Sequence, residues 1–202
     1  FEETASMPLV FMTAYQMLIK RAKLLPSETA LIYGGTSGIG SAAIQISREL
    51  GAQVIATAGN DEKCEFSKEI GADHVVNHIR DNWVEDVKNI TGKNGVNVVF
   101  EHIGASTWKQ SLRVLSKGGR IVTCGATTGV NVNVNLAHLF IKQQSILGST
   151  MGSIQIYKEV MEKINQEKYI PTVDQVFPMD DIRHAHEYME NRQQMGKVVV
   201  TV

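Results

Sequence analysis

The chain has 202 residues, of which 43% are hydrophobic and 20% are charged, so it is long and apolar enough to fold around a substantial core as one α/β domain. Its 20 basic side chains nearly balance 21 acidic ones, and no run of Lys or Arg stands out. This balance argues against nucleic acid or a membrane surface as a partner.

The two cysteines, Cys64 and Cys124, lie far apart and have no histidine or second cysteine at ligand spacing. The sequence therefore encodes neither a disulfide framework nor a zinc knuckle, and we expect no metal site in this chain. No apolar run is long enough to cross a bilayer, and the opening residues FEETASMPLV lack the basic start and hydrophobic centre of a secretory signal. We therefore expect a cytoplasmic protein.

The first predicted element is a helix over residues 4–23, because apolar residues recur there at helical intervals and basic residues end the segment. Pro26 and Ser27 stop this helix. The chain starts at Phe1 in what reads as a helix from the middle of a protein, so we expect a fragment. We assign residues 1–27 to a lead-in helix and linker, and residues 28–202 to one main domain.

The main domain alternates short apolar segments with amphipathic ones. ALIYGG predicts a buried strand, and SGIGSAAIQISRELGA predicts a helix that ends at Gly51. The later predicted strands are QVIATAG, HVVNH, VNVVFEHIG and GGRIVTCGA, separated by the predicted helices DEKCEFSKEIGA, WVEDVKNI and STWKQSLRVLS. Either Asn60 or Asp61 serves as the N-cap of the second helix. This alternation predicts a Rossmann-type, doubly wound parallel sheet with helices on both faces.

The pattern changes after Thr127. GVNVNVNLAHLF is a polar, Asn-rich connection that runs into a helix, SILGSTMG is a strand, and SIQIYKEVMEKINQEK is an amphipathic helix. A further helix and a final apolar strand, KVVVTV, end the chain.

The glycine cluster GGTSGIG, residues 34–40, lies between a predicted strand and a predicted helix, which is the context of a phosphate-binding turn. Glycine at the start permits a tight turn, small residues let the backbone approach a pyrophosphate, and Gly40 lets helix and strand pack closely. The free N–H groups at the helix start favour an anion. We predict a dinucleotide site, with a purely structural turn as the alternative, formed by Gly35, Thr36, Ser37, Gly38 and Ile39.

The end of the next strand indicates which dinucleotide is bound. An NAD-specific site places an acidic residue there, on the ribose 2′-hydroxyl. Here the strand runs into Ala58 and Gly59, and Lys63 follows. A cation without a neighbouring carboxylate suits a 2′-phosphate, so we predict NADP(H). Asp61 leaves an alternative open, because a carboxylate on the ribose instead of at the helix N-terminus would reverse this prediction.

Several segments resemble the medium-chain dehydrogenase/reductase superfamily, in particular its zinc-type alcohol dehydrogenase and quinone oxidoreductase branches. They occur in family order over essentially the whole chain: MPLVFMTAYQML, the glycine turn with its flanking segments, IGADHVVNH, NVVFEHIG, LSKGGRIVTCGATTG, SILGSTMG and GKVVVTV. The resemblance implies a two-domain, NADP-dependent oxidoreductase in which a GroES-like domain, absent here, supplies much of the active site. The chain alone would then be inactive.

The resemblance also implies roles for single residues. Thr13 matches a threonine near the nicotinamide, and Ser37, Gly38 and Ile39 match the pyrophosphate cradle. Lys63 matches a lysine near the adenosine phosphate. His78 stands where quinone reductases often have a tyrosine over the adenosine, with a plain surface histidine as the alternative. The segments that would border the nicotinamide end are Ile103 and Gly125–Ala126.

The resemblance bears on metal and substrate as well. Leu9 stands where classical zinc enzymes have a cysteine ligand, which argues against a conventional catalytic zinc and favours a zinc-independent reductase of a carbonyl, enone or quinone. Catalytic residues are not assigned. His102 lies at a predicted strand's carboxyl end, where its pKa would suit proton transfer, but a histidine that only lines the cleft is the favoured interpretation.

Two other functions remain open from the sequence. A short-chain dehydrogenase would share the glycine turn but needs a Tyr followed four residues later by Lys, and no lysine follows Tyr15, Tyr157, Tyr169 or Tyr188 at that spacing. The second alternative is a non-catalytic module that senses NADPH. In either case the apolar strand SILGST would leave an open sheet edge, so we expect a homodimer that pairs this edge across a two-fold axis.

Overall fold

The computed structural model describes all 202 residues and contains a parallel sheet of six strands in the order β3-β2-β1-β4-β5-β6. This order is that of a Rossmann fold, so the predicted doubly wound sheet is confirmed. The order reverses between β1 and β4, and the crevice at their carboxyl ends is where such sheets bind ligands. The strands are β1 Thr29–Ile32, β2 Gln53–Ala58, β3 His74–Asn77, β4 Val96–Glu101, β5 Leu115–Thr123 and β6 Ser145–Gly148.

Helices connect and cover these strands. The first crossover helix, α3, begins directly after the glycine turn, buries its small and branched residues, and ends at Gly51 in the left-handed conformation, as predicted. Asn60 caps α4 by accepting a hydrogen bond from the Lys63 N–H, which decides between the two predicted caps. The helices are α1 Glu2–Ser6, α2 Pro8–Tyr15, α3 Gly38–Leu50, α4 Asp61–Glu69, α5 Trp83–Ile90, α6 Trp108–Val114, α7 Leu136–Ile141, α8 Ile154–Asn165 and α9 Ile182–Glu190.

The core has two parts. One cluster of 24 buried residues includes buried side chains of α2, of α3 and of the sheet face that they cover. A second cluster of 14 includes buried side chains of α5 and α6. None of the helices has both the length and the apolar character needed to cross a lipid bilayer.

The lead-in segment is not the single helix that the sequence predicts. It consists of α1, then α2 starting at Pro8, then a π-helical segment Gln16–Arg21. Proline lacks a backbone N–H and fits the first turn of a helix. Pro8 therefore begins a new helix, whereas the sequence predicted one continuous helix over residues 4–23. Phe11 and Met17 of this segment are buried in the first core cluster. The domain boundary at residue 27 stays a prediction.

The C-terminal segment forms a second, two-stranded parallel sheet from β7, Val173–Pro178, and β8, Lys197–Thr201. The sequence did not predict β7, because VDQVFP is short and only partly buried, and so lacks a clear alternation. A parallel bridge pairs Gly196 with Ser37. The C-terminal sheet therefore borders the glycine turn.

Candidate functional site

The glycine turn brings β1 and α3 closer together than side chains would permit. Gly34 has a φ of +59°, and a Cβ on Gly40 would lie 2.0 Å from the Gly34 carbonyl oxygen. A Cβ on Gly35 would lie 2.7 Å from Ser67 Oγ and 3.0 Å from Ala56 Cβ. Two glycines of the predicted motif are thus required by close contact, and they hold the start of α3 directly over the strand.

The start of α3 presents backbone donors at the end of the sheet. The Ser37 N–H donates to the Gly34 carbonyl at 2.8 Å, and Ser37 Oγ accepts from the Gly40 N–H at 3.0 Å. The N–H groups of Thr36 and Ile39 have no acceptor within the chain. Unpaired donors at the positive end of a helix dipole favour an anion such as a diphosphate.

Three basic side chains meet beyond the end of β2. Lys63 Nζ donates to the Arg192 carbonyl oxygen, and the His78 imidazole would be 3.7 Å from a Cβ on Gly59. Partial burial lowers the pKa of His78, and the positive charge of Arg192 lowers it further. Partial burial also lowers the pKa of Lys63, while Asp174 opposes this shift.

Asp61 lies close by but already has partners. Its carboxylate accepts from the Arg80 guanidinium at 2.9 Å and from the Asn77 side chain at 3.3 Å. Asp174, the other nearby acid, accepts from the Tyr188 hydroxyl at 2.9 Å and from the Met195 N–H at 3.1 Å. Both carboxylates are therefore engaged by groups of the chain itself, whereas Lys63 and Arg192 are the nearby cations without a carboxylate partner.

A cavity of about 340 Å³ lies at the carboxyl ends of β4, β5 and β6. Gly125 and Ala126 line it, as do Gly104, which follows Ile103, and Cys124. Burial raises the pKa of the Cys124 thiol, so this thiol is protonated at neutral pH. The segments predicted to border the nicotinamide end are thus brought together at one cavity.

Thr13 lies apart from this cavity, as do the residues of the glycine turn and those at the end of β2. It is buried in α2, one helical turn after Val10. Val10 Cγ1 would be 3.4 Å from a Cβ on Gly38, so this face of α2 approaches the glycine turn. The predicted residues therefore form three groups, at the turn, at the end of β2 and at the cavity, with Thr13 behind the first.

Glu101 is an important residue that the sequence interpretation missed. Its side chain is fully buried, and its carboxylate accepts hydrogen bonds from the Ile103 N–H at 2.7 Å and the Gly104 N–H at 3.1 Å. Ser111 Oγ lies 2.9 Å from the same carboxylate, and Thr107 Oγ1 lies 2.9 Å from it. Glu101 thus fixes the segment that leads into the cavity. The signal was an acid that ends an apolar strand.

His102 does not have the surroundings of a proton-transfer group. Its Nε2 lies 2.9 Å from the Tyr33 carbonyl oxygen, to which it donates, and its ring packs against Gly34 and Phe100. Burial lowers the pKa of the imidazole, although the Tyr33 carbonyl and the Glu101 charge oppose that shift. His102 is therefore neutral at pH 7 and joins β4 to the glycine turn.

This burial predicts a pH dependence of stability. The pKa of His102 is lower in the folded chain than in the unfolded chain, so the unfolded state binds more protons below about pH 6.5. The contribution of the neutral His102 side chain to stability is therefore complete above that pH and is lost as the pH falls below it. When the pH falls from about 7.5 to about 5.5, we expect the free energy of unfolding to decrease less in His102→Gln than in the wild type. The difference between the two is at most about 1.4 kcal/mol per pH unit, which is the effect of one proton. Urea unfolding at both pH values measures the difference, and equal losses would contradict the prediction.

Two of the basic residues near the site come from the C-terminal segment. Arg192 is described above, and the Lys197 side chain lies across the glycine turn, because a Cβ on Gly38 would be 2.5 Å from Lys197 Cδ. Neither residue carries a local sequence signal, since each reaches the site only through the pairing of β8 with β7 and of Gly196 with Ser37.

The sequence matches known proteins over its full length. Residues 38–166 match the family described as "Zinc-binding dehydrogenase". A zinc-type alcohol dehydrogenase-like protein of Schizosaccharomyces pombe is 32% identical over 100% of this chain and 60% of its own length. Quinone oxidoreductase 1 of Escherichia coli is 31% identical over 97% of this chain and 63% of its own length. The chain thus spans less than two thirds of these relatives.

Solved structures agree. The crystal structure of an NAD-dependent alcohol dehydrogenase superposes with a TM-score of 0.95 at 38% identity, over 100% of this chain and 59% of that chain. A crotonyl-CoA carboxylase/reductase variant in complex with NADP gives a TM-score of 0.91 at 26% identity, over 99% of this chain and 56% of that chain. These two proteins thus differ in the nicotinamide cofactor that their names give, NAD for the first and NADP for the second.

Proposed function

The chain belongs to the zinc-binding dehydrogenase family, within the medium-chain dehydrogenase/reductase superfamily, and from this membership we propose that it is the NADP(H)-binding part of an oxidoreductase. The observation that carries the proposal is the glycine turn, where Gly40 contacts the Gly34 carbonyl and the Ile39 N–H has no acceptor within the chain. The family match also removes the short-chain dehydrogenase alternative.

The residues at the site fit a dinucleotide. The donors at the start of α3 would bind the diphosphate, together with Gly35, Thr36, Ser37 and Gly38, and the Lys197 ammonium would add a counter-charge. Gly125, Ala126 and Ile103 would border the nicotinamide, with Thr13 behind the turn. When bound, the cofactor supplies the hydride, and this chain orients it and excludes water from one side.

The preference for NADP(H) rests on charge. The groups beyond β2 include Lys63, Arg192 and the imidazole of His78, whereas the carboxylate of Asp61 is paired with Arg80. A 2′-phosphate would meet two cations there, while a 2′-hydroxyl would lack the acidic partner that NAD-specific sites provide.

We expect Lys63→Ala and Arg192→Ala each to weaken NADPH binding by about tenfold to 100-fold, since each removes a charge-assisted contact with the 2′-phosphate. NADH binding should change by less than about twofold, because its 2′-hydroxyl is uncharged. Fluorescence titration with both cofactors gives the two ratios. Arg183→Ala, an exposed cation on α9, is the control. Tighter binding of NADH than of NADPH by the wild type, or an unchanged ratio in both variants, would refute the NADP(H) preference.

The substrate that we propose is a carbonyl, enone or quinone, reduced without a conventional catalytic zinc. Leu9, at the position of the classical cysteine ligand, is exposed on α2 and cannot bind a metal. NADPH oxidation in the presence of an aldehyde, an enone and a quinone, by this chain joined to a GroES-like domain, tests the reaction. Absence of turnover with tight NADPH binding would instead favour a sensing module.

We also expect a homodimer that pairs β6 with its copy. This edge strand is exposed, and Ile146 on it and Phe140 and Ile141 beside it are apolar and accessible. Sedimentation velocity should show a dimer, and Ile146→Lys should shift it to monomer, while Ile170→Lys, which is also exposed, should not. Only monomer at high concentration would rule out this pairing.

A further inference from the structure

A second cavity, of about 710 Å³, lies beside α6 and the segment that connects β5 to α7. Its apolar lining includes Trp108 and Leu112, which are buried. Its polar lining consists of amides and bases, and no carboxylate lines it: Lys109, Arg113, Asn131, Asn133, Asn135 and His138. The cavity is therefore amphiphilic and positively charged.

The sequence VNVNVN explains one wall of this cavity. Val132 and Val134 pack against the second core cluster, and the asparagines that alternate with them line the cavity. Asn135 caps α7 by accepting from the His138 N–H at 3.1 Å, whereas Asn131 and Asn133 make no side-chain hydrogen bond within the chain. Alternation therefore presents amide groups on one face of an extended segment.

The opposite wall carries two free cations. Lys109 and Arg113 are four residues apart on α6, so they lie on one face of it, and neither forms an ion pair within the chain. Glu85, whose pKa Arg113 helps to lower, is already paired with Lys88 at 2.8 Å. Partial burial lowers the pKa of His138, so this residue offers a hydrogen bond and not a charge.

The two cavities are neighbours, because Trp108 and Val132 line both. The indole N–H of Trp108 is buried there without a hydrogen-bond acceptor. A phosphate monoester carries a charge between about −1 and −2, which matches two cations better than a single carboxylate does. An apolar stem would cover Leu112 and Trp108.

We propose that this cavity binds the phosphate-bearing end of an elongated substrate whose reactive end reaches the smaller cavity. The inference rests on the proposed function for the identity of the ligand as a substrate. Lys109 and Arg113 hold the phosphate, and Asn131 and Asn133 donate to its oxygens or to polar groups of the stem. Trp108, which lines both cavities, contacts the stem where it passes toward the smaller one.

The test uses n-hexyl phosphate as the probe and follows backbone amide shifts of the 202-residue chain. Shifts are expected at residues 105–113 and 131–138, and Lys109→Ala/Arg113→Ala is expected to weaken binding by about tenfold or more. Lys117→Ala/Arg183→Ala removes the same two charges from exposed positions outside the cavity and should leave the affinity within about twofold. n-Hexanol should bind at least about tenfold more weakly than the phosphate, because it lacks the charge.

Shifts confined to residues 36–40, equal weakening by both double variants, or equal affinity for n-hexanol would overturn the inference. NADPH titration of the same variants keeps the two proposals separate. If NADPH binds the wild type and both double variants equally, but hexyl phosphate causes no shifts at the residues of the cavity, the inference alone fails. If hexyl phosphate binds as expected but NADPH does not bind at all, the proposed function fails and the anionic site stands.

Discussion

Gly40→Ala is expected to destabilise the chain by about 3 kcal/mol or more, as overpacking against rigid backbone does in a filled core. The added methyl group would lie 2.0 Å from the Gly34 oxygen and 2.8 Å from the Gly34 carbonyl carbon, whereas a relaxed carbon-to-oxygen contact needs about 3.3 Å. Both atoms belong to backbone, so no side-chain rotation relieves the contact. The start of α3 would have to move away from β1 by more than about 1 Å.

That movement has two measurable consequences. It opens the packing of Ala43 and Ile44, which are fully buried residues of α3, and urea unfolding reports the loss. It also displaces the Ile39 N–H, so NADPH affinity should fall even where the variant remains folded. Gly148→Ala is the matched control for stability, because no atom lies within 4 Å of its added methyl group and we expect a change of less than about 1 kcal/mol. Equal stability of the two variants would contradict the contact argument.

The doubly wound parallel sheet could be predicted because each of its strands and helices has a local signal. Strands of four to nine residues, each followed by a helix, permit few arrangements other than a parallel sheet. The signals at Gly51 and Asn60 are local as well, since a glycine that ends a helix and an N-cap residue each act within one helical turn. The signal of the glycine turn is local as well, because residues 34–40 contain the whole motif, although the folded turn also packs against Ala56 and Ser67.

The residues that sequence interpretation missed act over long separations. Arg192 reaches Lys63 from 129 positions away in the chain, and Lys197 reaches Gly38 only after β8 has paired with β7. Periodicity contains no information on such pairings, because it describes neighbours along one element. β7 was missed for a related reason, since its partner, and not its own pattern, stabilises it.

Glu101 was missed although its signal was local. The sequence FEHIG places an acid, Glu101, next to a base, His102, at the end of a strand. The sequence interpretation considered only the histidine, because an imidazole can transfer protons near neutral pH. In the structure Glu101 has the larger role. Its carboxylate accepts hydrogen bonds from two N–H groups and two hydroxyls, whereas the neutral imidazole of His102 donates one hydrogen bond to a carbonyl. A charge buried at the end of a central strand needs such a set of donors, so its presence alone predicts an ordered turn after it.

Replacing Glu101 is therefore the second large effect that we expect. Glu101→Leu fills a similar volume but leaves the Ile103 and Gly104 N–H groups buried without an acceptor, and each such loss costs about 1–3 kcal/mol. We expect a total loss of about 3–5 kcal/mol in urea unfolding. Glu101→Gln keeps one acceptor oxygen and should lose about half as much.

A matched control separates the network from the general effect of removing an acid. Glu69 is exposed at the end of α4, so Glu69→Leu should change stability by no more than about 0.5 kcal/mol. The Leu variant, if folded, should also bind NADPH more weakly, because Ile103 and Gly104 lead into the cavity and lose the oxygen that fixes them. If Glu101→Leu were as mild as Glu69→Leu, the buried carboxylate would not be what orders the end of β4, and the cavity at that end would need another support.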